Sequence, residues 1–249
     1  LGADQPGYLG DWHAVRQYFT HTGPEARHMW VWFEPDLIPG YVWSFPLPDG
    51  GANVGYGIHR QPGKPTGAMK HQWGELLARP HIRRVLGPDA VAEAPWKAWP
   101  IPTRIGRATL SGGAGRVLFV GDAVRAGDTL TGEGIAQALE TAVSAAGAIH
   151  AAGPDHPARA ASRYRRQVTL GLAVDDRLAD LCSGVRARPG GANGWLRIAT
   201  ADDRVRRQFV RWMFEHTPRA LALTPWRWRP GTLRRPGAYG AVRPAGRRP

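Results

Sequence analysis

Cysteine is almost missing from this chain: Cys182 is the only one in 249 residues. No disulfide can close within it, and no cysteine cage can hold a metal. That scarcity fits a reducing compartment, so a cytoplasmic location is expected. Lysine is scarce too, standing only at Lys64, Lys70 and Lys97, so the net charge of +13 is an arginine charge. No run of 18 or more apolar residues occurs, and no membrane-spanning helix is expected. The opening LGADQPGYLGDWHAVRQYF has neither a basic leader nor an apolar stretch, so it does not read as a secretory signal. With Leu1 in first place it reads like the interior of something longer.

Other absences narrow the chemistry. His13, His21 and His28 are not at close ligand spacing and no acidic cluster joins them, so no metal site is expected. There is no Walker loop and no G-x-S-x-G elbow. The arginines are scattered without an aromatic–basic pattern, and no specific nucleic-acid binding is expected. A G-x-G-x-x-G turn is also missing. Its nearest approximation, Gly55-Tyr56-Gly57-Ile58-His59-Arg60, lacks the third glycine, and no helix clearly follows it.

What is present suits a globular fold: 43% of residues are hydrophobic and 21% charged. Trp12 to Phe19 fits a short strand or a helix equally. From His28, Met29, Val31 and Phe33 alternate with Trp30, Trp32 and Glu34, the period of a strand. YVWSFPL and ANVGYGI flank the turn signal PDGG, which predicts an antiparallel hairpin of Tyr41–Leu47 with Ala52–Ile58. With the turn centred on Asp49-Gly50-Gly51, Ser44 would face Gly55 and Val42 would face Gly57. One face would then carry Tyr41, Trp43 and Phe45, and the other little bulk. Thr66 to Leu86 reads as helix interrupted at Pro80, and WPIPTR is too rich in proline for a central strand. Helices are expected over Ile135–Ile149, about Pro157 to Cys182, and about Ala201 to Glu215. The first has Ile135, Leu139, Ala142, Val143, Ala146 and Ile149 on one face, with alanines that permit close packing on a sheet. The last has Val205, Phe209, Trp212 and Met213 as its apolar stripe. Asp175-Asp176, beside Arg177, reads as a solvated helical face. The basic tail beyond about Pro230 reads as disordered. A sharper reading makes it a weak anchor on anionic membrane through Trp226 and Trp228.

The segment GRVLFVGDAVRAGDTLTGEGIAQALE carries the most chemistry. A short buried strand, RVLFVGD, ends at Gly121-Asp122, where a carboxylate can accept bonds from ligand hydroxyls. Gly132 and Gly134 then let backbone amides approach a ligand at a helix start, where the partial charge is positive. Strand, aspartate, loop, Gly-x-Gly and alanine-rich helix together describe a site for a large flavin nucleotide.

GDAVRAGDTLTGEGI resembles the second FAD-binding motif of the geranylgeranyl reductase family, within the flavoproteins built like para-hydroxybenzoate hydroxylase. That family's pattern is roughly G-D-A-A-G-x-x-x-P-x-x-G-E-G-I. Gly121, Asp122, Ala123, Gly132, Glu133, Gly134 and Ile135 match it. Arg125 stands where glycine is usual and Thr129 where proline is usual. Tyr41-Val42-Trp43-Ser44-Phe45-Pro46, followed by Gly55-Tyr56-Gly57, resembles the family's Y-x-W-x-F-P…G-x-G motif beside the isoprenoid substrate. WPIPT and VRWMFEHTPRALALTPWRW extend the likeness, from about residue 12 to about residue 230.

The resemblance implies an α/β (α+β) protein. It would hold an antiparallel substrate-side sheet, the final strand and helix of an FAD-binding domain, and a helical C-terminal region. The implied division is 1–110 for the substrate-side sheet and helix, 111–155 for the end of the FAD-binding domain, 156–229 for the helical region and 230–249 for the tail. It implies FAD as cofactor, with NADPH or another reductant as electron donor. Gly121, Asp122, Ala123, Leu130, Thr131, Gly132, Glu133, Gly134 and Ile135 would hold the flavin. Tyr41, Trp43, Phe45, Pro46, Gly55 and Gly57 would line the site of an isoprenoid lipid or quinone, with peripheral membrane contact. No catalytic residue is assigned; Tyr41 is a candidate proton donor, and Cys182 reads as a small core residue. The activity implied is reduction of isoprenoid carbon–carbon double bonds by a member lacking its Rossmann start, which a missing segment or a partner chain would supply. A flavin monooxygenase or halogenase of the same fold, and an inactive remnant, are the alternatives.

Overall fold

Trp12–Thr20 is a strand, β1, paired on both sides, with Val15 and Phe19 buried on one face and Trp12 buried on the other. The structure, a computed structural model, describes residues 8–60, 66–186 and 190–214. The basic tail with Trp226 and Trp228, the closing TPRALALTPWRW stretch and the first residues lie outside those described. The chain divides into two compact units that meet in sequence at Thr103 and Arg104.

The first unit is an antiparallel sheet with helices on one face. Its strands are β1, β2 (Trp30–Trp32), β3 (Tyr41–Pro46), β4 (Ala52–His59), β5 (Val91–Ala92) and β6 (Lys97–Ile101). They run in the order β2-β3-β4-β1-β5, with β6 also on β1. The proline of β6, Pro100, is thus confined to an outer strand, where a missing N–H does no harm.

The helical expectation over Thr66–Leu86 resolves into two helices, α1 (Met69–Ala78) and α2 (Pro80–Leu86). Pro80 forces Arg79 into extended backbone (φ −62°, ψ 132°) and then starts α2 as its own first residue. Arg79, at the break, pairs with Glu34 and with Asp36 (2.7 Å), and His81 Nε2 meets Glu34 Oε1 at 2.7 Å. These helices cover the sheet face that carries Val15, Val42, Val54 and Tyr56. Tyr56 stacks on Trp73 at 5.9 Å and donates its hydroxyl to the Met69 carbonyl at 2.9 Å. Burial pushes that phenol above its ordinary value, so it remains a neutral donor.

The second unit is mostly helical: α3 (Ile135–Ala152), α4 (Pro157–Leu170), α5 (Leu172–Arg186), α6 (Gly191–Ala199) and α7 (Asp203–Phe214). The expected helix over Pro157–Cys182 is broken at Gly171, and α6 was not foreseen. In α7, Val205 is buried and Phe209 half-buried; the side chains of Trp212 and Met213 lie outside the described set. RVLFVGD is not the buried strand expected. Its strand, β8 (Val117–Leu118), is two residues long, half-buried, and pairs with β7 (Ser111–Gly112).

Tyr164 ties α4 to the end of β8, donating its hydroxyl to the Phe119 carbonyl at 2.7 Å; burial pushes its phenol up to about 12. Ala145 and Ala148 of α3 face this core. The stripe expected to pack on a sheet faces outward instead: Ile135 is 76% exposed, Leu139 65%, Val143 72% and Ile149 51%.

Candidate functional site

Two surfaces hold the residues singled out by sequence, one in each unit. In the second unit, Gly121–Val124 forms a 3-10 turn after β8. Gly121 has φ +59°, and a Cβ there would stand 3.4 Å from Ala138 Cβ. Glycine therefore lets the turn press on α3 in a left-handed conformation. Its N–H donates to Thr141 Oγ1 at 3.0 Å. Asp122 and Ala123 are exposed beside this contact.

The loop that follows is folded on Asp128. Its Oδ1 accepts from the amides of Leu130 (3.0 Å) and Thr131 (2.7 Å) and from Thr131 Oγ1 (2.8 Å). Its carbonyl accepts from Gly132 N–H, and its own N–H donates to the Glu133 carbonyl. An aspartate in a turn favours such local bonds because its side chain mimics the backbone acceptor. Leu130 and Thr131 are buried, so they shape the loop from within, while Gly132, Glu133 and Gly134 are half-buried and Ile135 is exposed.

At the start of α3 the Ile135 amide is capped by Glu133 Oε1 (3.2 Å). This leaves the amides of Ala136 and Gln137 without a helical acceptor. Gln137 Oε1 is buried with no hydrogen-bond partner. A Cβ on Gly134 would meet nothing nearer than Gly127 Cα at 3.9 Å and Asp122 Oδ1 at 4.0 Å. Glycine at 134 thus leaves open backbone between the exposed carboxylate and a positive helix end. These donors and this space fit the polar edge of a flavin, with Asp122 placed to accept from hydroxyls.

Sequence reasoning missed Asp176. Rather than lying on a solvated face, it is half-buried and accepts a hydrogen bond from Thr129 Oγ1. Burial pushes its carboxyl up to about 6; Asp128 and Asp180 add to the rise, while Thr129 and Arg104 oppose it. Its partner lies 47 residues away in sequence, so no local pattern could have shown the pairing.

In the first unit the hairpin forms as expected, but its register differs by one residue. Tyr41 pairs with Gly57, Trp43 with Gly55, and Ser44 with Val54. The connection Leu47–Gly51 closes with Leu47 N–H on the Gly51 carbonyl (2.9 Å), which aligns Pro46 with Ala52. A shift of one residue moves every side chain to the other face. The glycines therefore lie under the aromatic rings, and no bare face exists opposite them.

The rings form a continuous row. Phe33 and Trp12 each stand 6.1 Å from Tyr41, Tyr41 is 5.9 Å from Trp43, and Trp43 is 6.0 Å from Phe45. Trp43 and Phe45 are half-exposed; Pro46, exposed at the end of β3, falls on the alternate face. The register adds Tyr18 and Trp99 to this face; Trp99 is 74% exposed, and both were missed. Arg16 also projects here, bonded to the Tyr18 hydroxyl and lying 4.9 Å over its ring. Such a face suits a long apolar ligand. Among the described residues, no group of His, Cys, Asp or Glu is placed to hold a metal, and no helix is long and apolar enough to cross a membrane.

Comparison with known proteins gives these surfaces a context. No family model matches the chain. A digeranylgeranylglycerophospholipid reductase of Methanothrix thermoacetophila is 32% identical over 146 residues, covering 58% of this chain and 35% of the relative. One from Methanopyrus kandleri is 34% identical over 121 residues, covering 46% and 28%. The chain thus spans about a third of the length of the curated relatives it matches. Among solved structures, a geranylgeranyl bacteriochlorophyll reductase-like protein of Thermoplasma acidophilum superposes with a TM-score of 0.61. Its identity is 15%, with 87% of this chain and 55% of that one covered. A point mutant of a halogenase, PltM, in complex with FAD gives a TM-score of 0.53 at 14% identity, covering 88% and 48%. In sequence the chain is similar over part of its length to these digeranylgeranylglycerophospholipid reductases, and its mixed α/β fold resembles those of the reductase-like protein and the halogenase.

Proposed function

We propose that this chain is the substrate-side part of an FAD-dependent oxidoreductase that reduces carbon–carbon double bonds of an isoprenoid lipid or quinone. The observation that carries the reading is the row of rings from Phe33 to Phe45 on one sheet face, in a chain whose curated relatives are named as reductases of a geranylgeranyl lipid. When bound and reduced, FAD supplies the hydride, and the second hydrogen arrives as a proton. Electrons come from NADPH or another reductant.

The chain's own residues bind and orient. Asp122 accepts from hydroxyls of the cofactor, and the amides of Ala136 and Gln137 meet its electron-rich edge. The Asp128-centred loop fixes Gly132 and Gly134 so that backbone can come close. Trp43, Phe45 and their neighbours hold the isoprenoid chain and exclude water from it. Residues 111–155 serve as the closing part of an FAD-binding domain. The outward stripe of α3 receives the layer that completes that domain, supplied by another segment of the polypeptide or by a partner chain. Contact with a membrane surface would deliver the lipid.

The test is a titration of the purified chain with FAD, followed by flavin fluorescence and the visible spectrum, with circular dichroism as the folding control. Saturable binding that weakens on Asp122→Ala supports the reading. Absence of binding by the folded chain, alone and with a Rossmann segment added, overturns it. The shared fold with the halogenase favours a second reading, oxygen-dependent flavin chemistry. Turnover of a prenyl lipid without oxygen, lost in Trp43→Ala, selects reduction over that alternative.

A further inference from the structure

α5 presents one face to the loop below it. Asp176 and Ser183 are seven residues apart, two helical turns, so they stand above one another. Ala173 and Ala179, on the same side, are buried at 5% and 0% exposure. Asp176 accepts from Thr129 Oγ1, and Ser183 Oγ donates to the Thr129 carbonyl at 3.4 Å. Thr129 is therefore held from α5 at both its side chain and its backbone. Its own side chain is fully buried. It stands directly after Asp128, on which the rest of the loop is folded.

We propose that Asp176 and Ser183 are positioning residues: α5 grips the loop at Thr129 and through it sets the conformation of residues 128–134. The inference rests on the proposed flavin role of that loop only for its last consequence, the effect on cofactor affinity. A threonine does not lock its φ as a proline ring would, and two hydrogen bonds from one helix hold it in a single conformation. The grip is adjustable. A carboxylate accepts a hydroxyl hydrogen bond more strongly than a neutral carboxyl does. Asp128 on the loop, Asp180 on the same helix and Arg104 beside it are the charged groups that bear on Asp176, and Arg104 Nη2 pairs with Asp180 Oδ1 at 3.4 Å. Raising the pH through the range in which Asp176 ionises tightens the hold on Thr129.

Amide hydrogen exchange of the cofactor-free chain tests this without any flavin. Asp176→Ala and Thr129→Val should each speed exchange at Leu130, Thr131 and Gly132 about tenfold, with little further change in the double variant. Amides in the middle of α3 and α4 should not change. Thr129→Ser should restore protection. Corrected for intrinsic rates, wild-type loop protection should rise with pH around a midpoint near 6, and Asp176→Asn should lose that profile. Unchanged loop exchange in either folded variant overturns the inference. So does a uniform loosening of the whole unit, or a wild-type pH profile equal to that of Asp176→Asn. If Asp176→Ala does not fold, Thr129→Val and Asp176→Asn decide the matter. FAD titration of the same variants should show affinity falling in parallel. If the wild type binds no FAD while the exchange results hold, the flavin reading fails and the grip stands.

Discussion

Trp43 lies across Gly55 so closely that a Cβ on the glycine would stand 2.3 Å from Trp43 Cζ2 and 2.3 Å from the Val15 carbonyl oxygen. The ring occupies the place of the missing side chain. Gly57, two residues on, has room: its nearest neighbour would be Trp12 Cε3 at 3.5 Å.

That contrast gives a paired prediction. Gly55→Ala meets backbone that cannot move aside and should cost about 3 kcal/mol or more. Gly57→Ala should cost under about 1 kcal/mol. Urea unfolding followed by circular dichroism measures both. Equal costs would mean that the ring does not rest on Gly55.

Tyr164 gives a second. Tyr164→Phe leaves the Phe119 carbonyl without its donor and should lower stability by about 1–2 kcal/mol. With its phenol pushed up to about 12, the residue is neutral at every ordinary pH. The loss should therefore be the same at pH 6 and pH 9, as denaturant titrations at both values would report.

The Asp176 carboxyl gives a dependence of opposite kind. It titrates near 3.8 in the unfolded chain and near 6 in the fold, so the folded state holds the proton more tightly. The stability this contributes is complete below about pH 3.8 and is lost as pH rises through about 6. Because the group is partly solvated, the loss should be about 1–2 kcal/mol. Stability curves from pH 4 to 7.5 should show this fall in the wild type and a flatter line in Asp176→Asn. Global stability and the local hold on Thr129 then move in opposite directions with pH, so the two effects can be separated.

The stripe on α3 gives a fourth. Leu139→Glu with Val143→Glu changes exposed positions and should alter the chain's own stability by under about 0.5 kcal/mol. The same pair of changes should abolish any gain in FAD affinity produced by adding a Rossmann segment. A retained gain would show that the segment docks elsewhere.

How much of this could be read in advance depended on how local the cause was. The hairpin announced itself through alternation and PDGG, but its register turned on the hydrogen bonding of Leu47 and Gly51, which no period reveals. Pro80 marked the helix break correctly because its effect on Arg79 is covalent. The helix Gly191–Ala199 was missed because its glycines argue against a helix. α3 was foreseen as a helix, yet an apolar stripe says only that a surface wants covering, and here no described residue covers it. The segment from Gly121 to Ile135 stood out as residues in order; its folding on Asp128 and the bond from Thr129 to Asp176 did not.

The bare stripe of α3 also bears on how the molecule behaves in company. A row of Ile135, Leu139, Val143 and Ile149 open to water is adhesive, and two copies meeting along it would gain from burying it. The surplus of 13 positive charges works against that encounter by mutual repulsion, and salt weakens the repulsion. A solution of this chain should therefore stay clear in dilute buffer and turn cloudy as salt is added, the reverse of a protein that aggregates through opposite charges.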